Sequence, residues 1–138
     1  MSPDDFNDDP VRAFLAQRGC PDFVIRGGLE GLLKSWERTV SEIEKGYAMG
    51  LDDYLNDVDA RQLLEEALLV ASPSVRAQMR AKLSAVDVRA RAQLIAAKNC
   101  LWGNEAAKKS GWSADREWWY FGQPKNAGEE LKKDLEGR

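Results

Sequence analysis

Residues 51–100 read LDDYLNDVDARQLLEEALLVASPSVRAQMRAKLSAVDVRARAQLIAAKNC, and the Ser72-Pro73 pair near the middle divides them into two helical patterns. Serine followed by proline is a helix start: the first supplies a cap and the second fits the first helical position, where no N–H is needed. Upstream, Leu51, Tyr54, Leu55, Val58, Gln62 and Leu69 share one face of a helix expected over Leu51 to Val70. Asp52 and Asp53 fall in its first turn, where the helix dipole favours them. Leu63, Leu64 and Leu68 lie off that stripe, so the later half is expected to be apolar on several sides and central in the fold. Downstream, Val75, Met79, Leu83, Val86, Ala90, Leu94, Ala97 and Leu101 recur at steps of three and four, predicting a helix from Pro73 to about Cys100. Two helices joined by so short a connection lie antiparallel.

Outward from this hairpin, further helical patterns follow. Asp8-Asp9-Pro10 starts a short helix through Arg18, stopped by Gly19 and Pro21, with Val11, Phe14 and Leu15 as its apolar face. Phe23, Val24 and Ile25 lie between breakers and read as a buried turn or short helix. Leu29, Leu32, Leu33, Trp36, Val40 and Ile43 predict a helix from about Leu29 to Lys45 that ends at Gly46. Beyond the hairpin, Gly103, Gly111, Gly122 and Pro124 punctuate a tryptophan-rich stretch in which Asn104 to Ser110 reads as a short helix. Residues 118–121 read as buried extended chain or a two-sided contact. The expected fold is all-α: a small antiparallel bundle of about four main helices over residues 1–124, with the irregular tryptophan-rich segment packed on it. Residues 125–138 read as a polar tail, frayed or weakly helical.

Composition narrows the function. At 138 residues, with two cysteines outside any C-x-x-C pattern, the chain can bury a core without disulfides or metals, and Cys20 and Cys100 read as free thiols. No histidine is present, which removes the commonest general base and the commonest zinc ligand. No cofactor-binding motif is read. The first residues, Met1-Ser2-Pro3-Asp4-Asp5, lack a basic start followed by an apolar run, and no later stretch reaches span length. The expectation is a cytoplasmic protein without a membrane partner. Residues 1–72 carry 7 Lys+Arg against 15 Asp+Glu, net -8, while residues 73–138 carry 13 against 8, net +5. An acidic first half argues against a nucleic-acid partner, and the opposite charges suggest facing helix rims. Arg76, Arg80, Arg91 and Lys98 lie near one another around the fourth helix with Asp87 among them, readable as a solvated or salt-bridged rim or as a surface for an anion or an acidic partner.

The most specific motif is an internal echo, Leu55-x-x-Val58-Asp59-x-Arg61 against Leu83-x-x-Val86-Asp87-x-Arg89. Asp59 and Asp87 are each 14 residues from Pro73, so a rise of ~1.5 Å per residue puts them level, about 20 Å from the turn. In that register Asp59 meets Asp87 and Arg89 approaches Asp57. One expectation is a buried ionic network of Asp57, Asp59, Asp87, Arg61 and Arg89 that fixes the hairpin register. The alternative is a divalent-metal site of Asp59, Asp87 and Asn56, which would make the chain a small carboxylate-only hydrolase.

The second constellation is aromatic: four of the five tryptophans, Trp102, Trp112, Trp118 and Trp119, lie within residues 102–119. Such a cluster serves as a lid over a bundle end, as a ligand platform or as an anchor for a protein partner, with Trp112, Arg116, Trp118 and Trp119 as the candidate partner surface. The functional expectation is a non-enzymatic protein-interaction module, such as a regulator, adaptor or immunity-like inhibitor. Its partner would be another protein or a second copy of the chain.

Overall fold

In the computed structural model, residues 9–136 are described, and they form an α-helical bundle with one short β-ribbon. The helices are α1 (Asp9–Gln17), α2 (Asp22–Lys45), α3 (Leu51–Val70), α4 (Pro73–Ala92), α5 (Asn104–Ser110) and α6 (Glu129–Glu136). The ribbon pairs β1 (Leu94–Ala96) with β2 (Gly122–Pro124), and a single 3-10 turn spans Trp118–Tyr120 just before β2. Asp8, read as part of the first helix start, and the tail residues Gly137 and Arg138 lie outside the described residues. Among the described residues, no helix is long and apolar enough to cross a membrane.

The hairpin register can be followed through its polar contacts. Arg76 of α4 bonds to Leu68 and Ala71 carbonyls at the end of α3, Arg80 bonds Glu65, and Asp87 bonds Arg61. Partner numbers fall along α3 as they rise along α4, which is the antiparallel order. Against α2 the order is reversed: Glu30 pairs with Lys82, Trp36 with Asp87, and Glu44 with Arg89, so α2 and α4 run parallel. The helix with the widest packing is α2, which contacts α1, α3 and α4 and buries Leu29, Leu32, Leu33, Trp36, Val40 and Ile43. Its pattern breaks where the sequence suggests. Gly28 takes φ 57 and ψ -149 inside the helical span, a backbone conformation that only glycine adopts cheaply, so residues 22–27 form a separate first turn.

The later half of α3 turns Arg61, Leu64, Ala67 and Leu68 inward. Leu69, expected on the apolar face, is instead exposed, because the buried stripe advances in steps of three. Ser72 occupies the N-cap position of α4 with extended backbone, but its side chain makes no capping bond, and the helix start rests on Pro73. The fourth helix also ends earlier than its stripe predicts. Gln93 closes it with an N–H bond to Ala90, and its carbonyl then accepts from Lys125 N–H to open the ribbon. Leu94, Ala97 and Leu101 keep helical spacing but are covered by strand and turn, Leu101 fully and the other two in part, a case of tertiary pairing overriding local pattern.

The terminal segment read as a frayed or weakly helical tail forms α6. Leu131 is fully buried, and Asp134 accepts the Leu51 N–H at 3.0 Å, so the carboxylate sits at the positive end of α3.

Candidate functional site

Position 61 falls on the buried stripe of α3, three residues after Val58 and three before Leu64, and an arginine there must bring its counter-charges with it. Its side chain is 3% exposed. Arg61 Nε and Nη2 donate to the two oxygens of Asp87 at 3.1 and 2.8 Å, a bidentate fork. Nη1 donates to Glu65 Oε1 at 3.0 Å, one turn along the same helix. Glu65 also accepts two bonds from Arg80, at 2.7 and 2.5 Å. Trp36 Nε1 brings in a third element, α2, by donating to Asp87 at 2.9 Å, and the Trp119 ring centroid lies 4.2 Å from the guanidinium carbon of Arg61. Two cations and two anions thus balance inside the α3–α4 contact. Burial raises the Glu65 carboxyl, but the bonds from Arg80 and Arg61 outweigh it and hold the pKa below its ordinary value. Arg80 is raised in turn, mainly by its bond to Glu65.

The other carboxylates of the expected network go elsewhere. Asp59 does not meet Asp87: its Oδ1 accepts Trp102 Nε1 at 2.9 Å and the Tyr120 hydroxyl at 2.5 Å. Asp57 accepts the Tyr47 hydroxyl. Arg89 does not approach Asp57 but forks onto Glu44 at 3.2 and 2.6 Å and reaches Ser41 at 3.3 Å, because α2 lies along the face of α4 that carries it. The Arg89 bond lowers Glu44, and the bond to Glu44 raises Arg89. Burial first, and the bond to a carboxylate second, push the phenols of Tyr47 and Tyr120 far above the ordinary tyrosine range.

The candidate metal ligands are therefore not brought together. Asp87 has both oxygens engaged by Arg61, Asp59 faces two aromatic donors, and Asn56 is exposed. Among the described residues, no group of three or more His, Cys, Asp and Glu side chains is arranged to hold a metal ion. The echo motif has a different consequence: each of its aspartates accepts an indole N–H, Trp36 onto Asp87 and Trp102 onto Asp59. Asp59 thereby ties the aromatic segment to the hairpin.

Within that segment the four candidate surface residues divide. Trp119 is 1% exposed, with Nε1 bonded to Gln62 at 3.1 Å, and it forms the bed for Arg61, so it cannot be a rim contact. Trp112 is half-buried and stacks on Tyr120 at 4.3 Å between centroids. Arg116 is exposed but folds back onto the Gly111 carbonyl at 2.6 Å and the Ser113 hydroxyl at 3.2 Å. Trp118 is half-buried, with the Arg91 guanidinium 5.0 Å from its ring centroid.

Around Trp118 and Arg91 two hollows meet. One, of about 290 Å³, is lined by Arg80, Ser84, Asp87 and Val88, and the other, of about 260 Å³, by Leu94, Ile95, Ala114 and Phe121. Arg91 and Trp118 line both, so the hollows adjoin at that pair, one on either side of it, and are treated together as one groove. At its edges Val88 is 65% and Ile95 49% exposed. Neither residue is prominent in the sequence reading. Val88 was legible as an apolar residue on the polar side of the Leu83, Val86 and Ala90 stripe, whereas Ile95 falls in the stretch that reads as helix. No protein-family model, curated protein or solved structure matches this chain.

Proposed function

We propose that the chain is a protein-interaction module, a regulator, adaptor or inhibitor that binds a protein partner through the groove on either side of Trp118. The observation that carries this reading is the exposure of Val88 and Ile95 beside an Arg91–Trp118 stack. Tryptophan and arginine are the residues that most often concentrate binding energy at protein interfaces, and aliphatic neighbours exclude water around them. Trp118 rests on Trp36 and Trp119, at 6.3 and 5.4 Å between centroids, so its ring is fixed in advance and little ordering entropy is lost on contact. The carboxylates best placed for chemistry have partners within the fold: Asp87 with Arg61, Glu65 with Arg80 and Arg61, and Asp59 with Trp102 and Tyr120. That leaves recognition as the use the groove supports.

The test is site-specific photo-crosslinking from Val88 in cells that make the protein, with the same photoreactive residue at exposed Lys34 on α2 as control. A discrete adduct from position 88, competed by excess unlabelled chain and absent from position 34, is the expected result. Equal or no labelling from the two positions would exclude this groove as a binding surface.

A further inference from the structure

We infer that the partner segment taken up by this groove is an extended acidic strand that adds to the free edge of β1, with a carboxylate seated on Arg91. This deepens the interaction reading and rests on it.

The backbone supplies the first argument. Among the described residues β1 has β2 as its single neighbour in the sheet, with Leu94 opposite Pro124 and Ala96 opposite Gly122. Ala97 N–H bonds to the Phe121 carbonyl at 2.8 Å and Lys125 N–H to the Gln93 carbonyl at 2.9 Å. In an antiparallel ladder alternate residues turn their N–H and C=O toward and away from the partner strand. Gln93, Ile95 and Ala97 therefore face β2, and the main-chain groups of Leu94 and Ala96 face outward. Ala96 is exposed, Leu94 is half-buried, and among the described residues no further strand pairs with this edge. An edge of that kind is a template for an incoming strand, whose main chain supplies affinity while alternate side chains supply specificity.

Charge supplies the second argument and selects the occupant. Among the described residues that line the hollow against β1, Arg91 is the one that carries a charge. It stacks on Trp118 and makes no ion pair with any described residue. In the adjoining hollow, Arg80 and Asp87 are neutralised by Glu65 and Arg61. The groove thus presents one uncompensated cation beside an apolar floor of Leu94, Trp118 and Phe121, and exposed Lys98 follows β1 two residues on. A segment that alternates carboxylate with aliphatic side chains matches both features. Successive residues on one face of a strand are about 6.6 Å apart, which lets one side chain cover the apolar floor while the next on that face reaches a charge at its margin.

Two blocked decapeptides serve as probes, one alternating valine with glutamate and the other valine with lysine, titrated into the full chain by calorimetry and by amide hydrogen exchange. The acidic peptide is expected to bind saturably and about tenfold or more tighter than the basic one, and to slow exchange at Ala96 and Leu94. Ala96→Pro removes the outward N–H without touching the ladder bonds of Ile95 and Ala97, and should abolish binding with the circular dichroism unchanged. Arg91→Glu, at an exposed position, should reverse the preference between the peptides, and it carries the test if the proline variant does not fold. Absence of saturable binding, equal affinity for both peptides, or undiminished binding by a folded Ala96→Pro variant overturns the inference. So does a concentration-dependent dimer that Ala96→Pro dissolves and the acidic peptide does not, because the occupant is then a second copy. A specific adduct from Val88 alongside any of these results leaves the interaction reading intact and removes strand addition alone.

Discussion

Arg61 is held between the carboxylate of Asp87, at 2.8 and 3.1 Å, and the face of Trp119, 4.2 Å from the ring centroid. Removing one member of a buried pair strands the other charge, which costs more than the pair contributes when intact. Asp87→Ala leaves Arg61 with Glu65 as its remaining carboxylate partner, and is therefore expected to lower unfolding free energy by up to about 3–5 kcal/mol in urea denaturation. The double variant Arg61→Met with Asp87→Leu should recover most of that loss, because neither charge is then left without a partner. A single-variant loss below about 1 kcal/mol would mean that the bridge contributes no more than an exposed one.

Arg76 joins the two helices of the hairpin at their turn. Its Nε donates to the Leu68 carbonyl at 2.8 Å, and its Nη2 to Leu69 and Ala71 carbonyls at 3.2 and 2.8 Å. The last carbonyls of a helix have no partners within it, and a cation there also meets the negative end of the dipole. Arg76→Ala should lower stability by about 1–3 kcal/mol and speed amide exchange across the turn. Arg76→Lys should recover only part, since a single ammonium cannot reproduce the fork.

Glu65 gives the fold an acid-sensitive element. Its pKa in the folded chain lies below its ordinary value, so the unfolded chain takes up the proton at higher pH than the folded one does. The stabilisation is complete above the ordinary glutamate range and is lost as pH falls through the depressed folded value. Urea midpoints measured from pH 7 down to pH 3 should fall, and Glu65→Gln should flatten that fall while lowering stability at pH 7. An equally steep acid limb in the variant would assign it to other carboxylates.

At the alkaline end the sign reverses. Burial raises the phenols of Tyr47, Tyr54 and Tyr120, so their stabilisation is present below the ordinary tyrosine value of about 10 and is lost as pH rises beyond it. Tyrosinate absorbance should therefore appear together with loss of helical circular dichroism. Individual variants should separate two kinds of buried hydroxyl. Tyr120→Phe removes a bond to the Asp59 carboxylate and should destabilise by about 1.5–3 kcal/mol. The Tyr54 hydroxyl is buried without a hydrogen bond to any described residue, so Tyr54→Phe should be neutral or stabilising by up to about 1 kcal/mol.

Helices α2 to α4 were legible because long amphipathic patterns and strong breakers coincide, as at Gly28, Gly46 and Pro73. The hairpin register was legible to within a helical turn: counting from Pro73 placed Asp87 level with Asp59, and it bonds to Arg61, half a turn away. Partner choice was not legible, because three helices share each interior space. Position alone cannot show that α2 presents Glu44 to Arg89 and Trp36 to Asp87. The β-ribbon was hidden for a similar reason: Leu94, Ala97 and Leu101 continue a helical stripe, and only the pairing of Leu94 with Pro124, 30 positions further on, overrides it.

The final helix offers the last prediction. Residues 125–138 read as a polar tail from sequence, yet Gly128 N–H bonds to the Tyr47 carbonyl at 2.8 Å and leads the chain into α6. A Cβ on Gly128 would lie 2.6 Å from that carbonyl oxygen, closer than any side chain tolerates, and the obstacle is backbone that cannot swing aside. Gly128→Ala should therefore detach this crossing, expose Leu131 and release Asp134 from the first turn of α3. Exchange should accelerate across α6 and at the Leu51 amide, while α2 and α4 keep their protection, because their contacts with each other do not run through this segment. Asp134→Asn should give a milder version, slowing nothing and loosening the Leu51 amide, since it weakens a charge-assisted bond without a clash. If Gly128→Ala left the exchange of α6 unchanged, the close approach to Tyr47 would not be what fastens the helix.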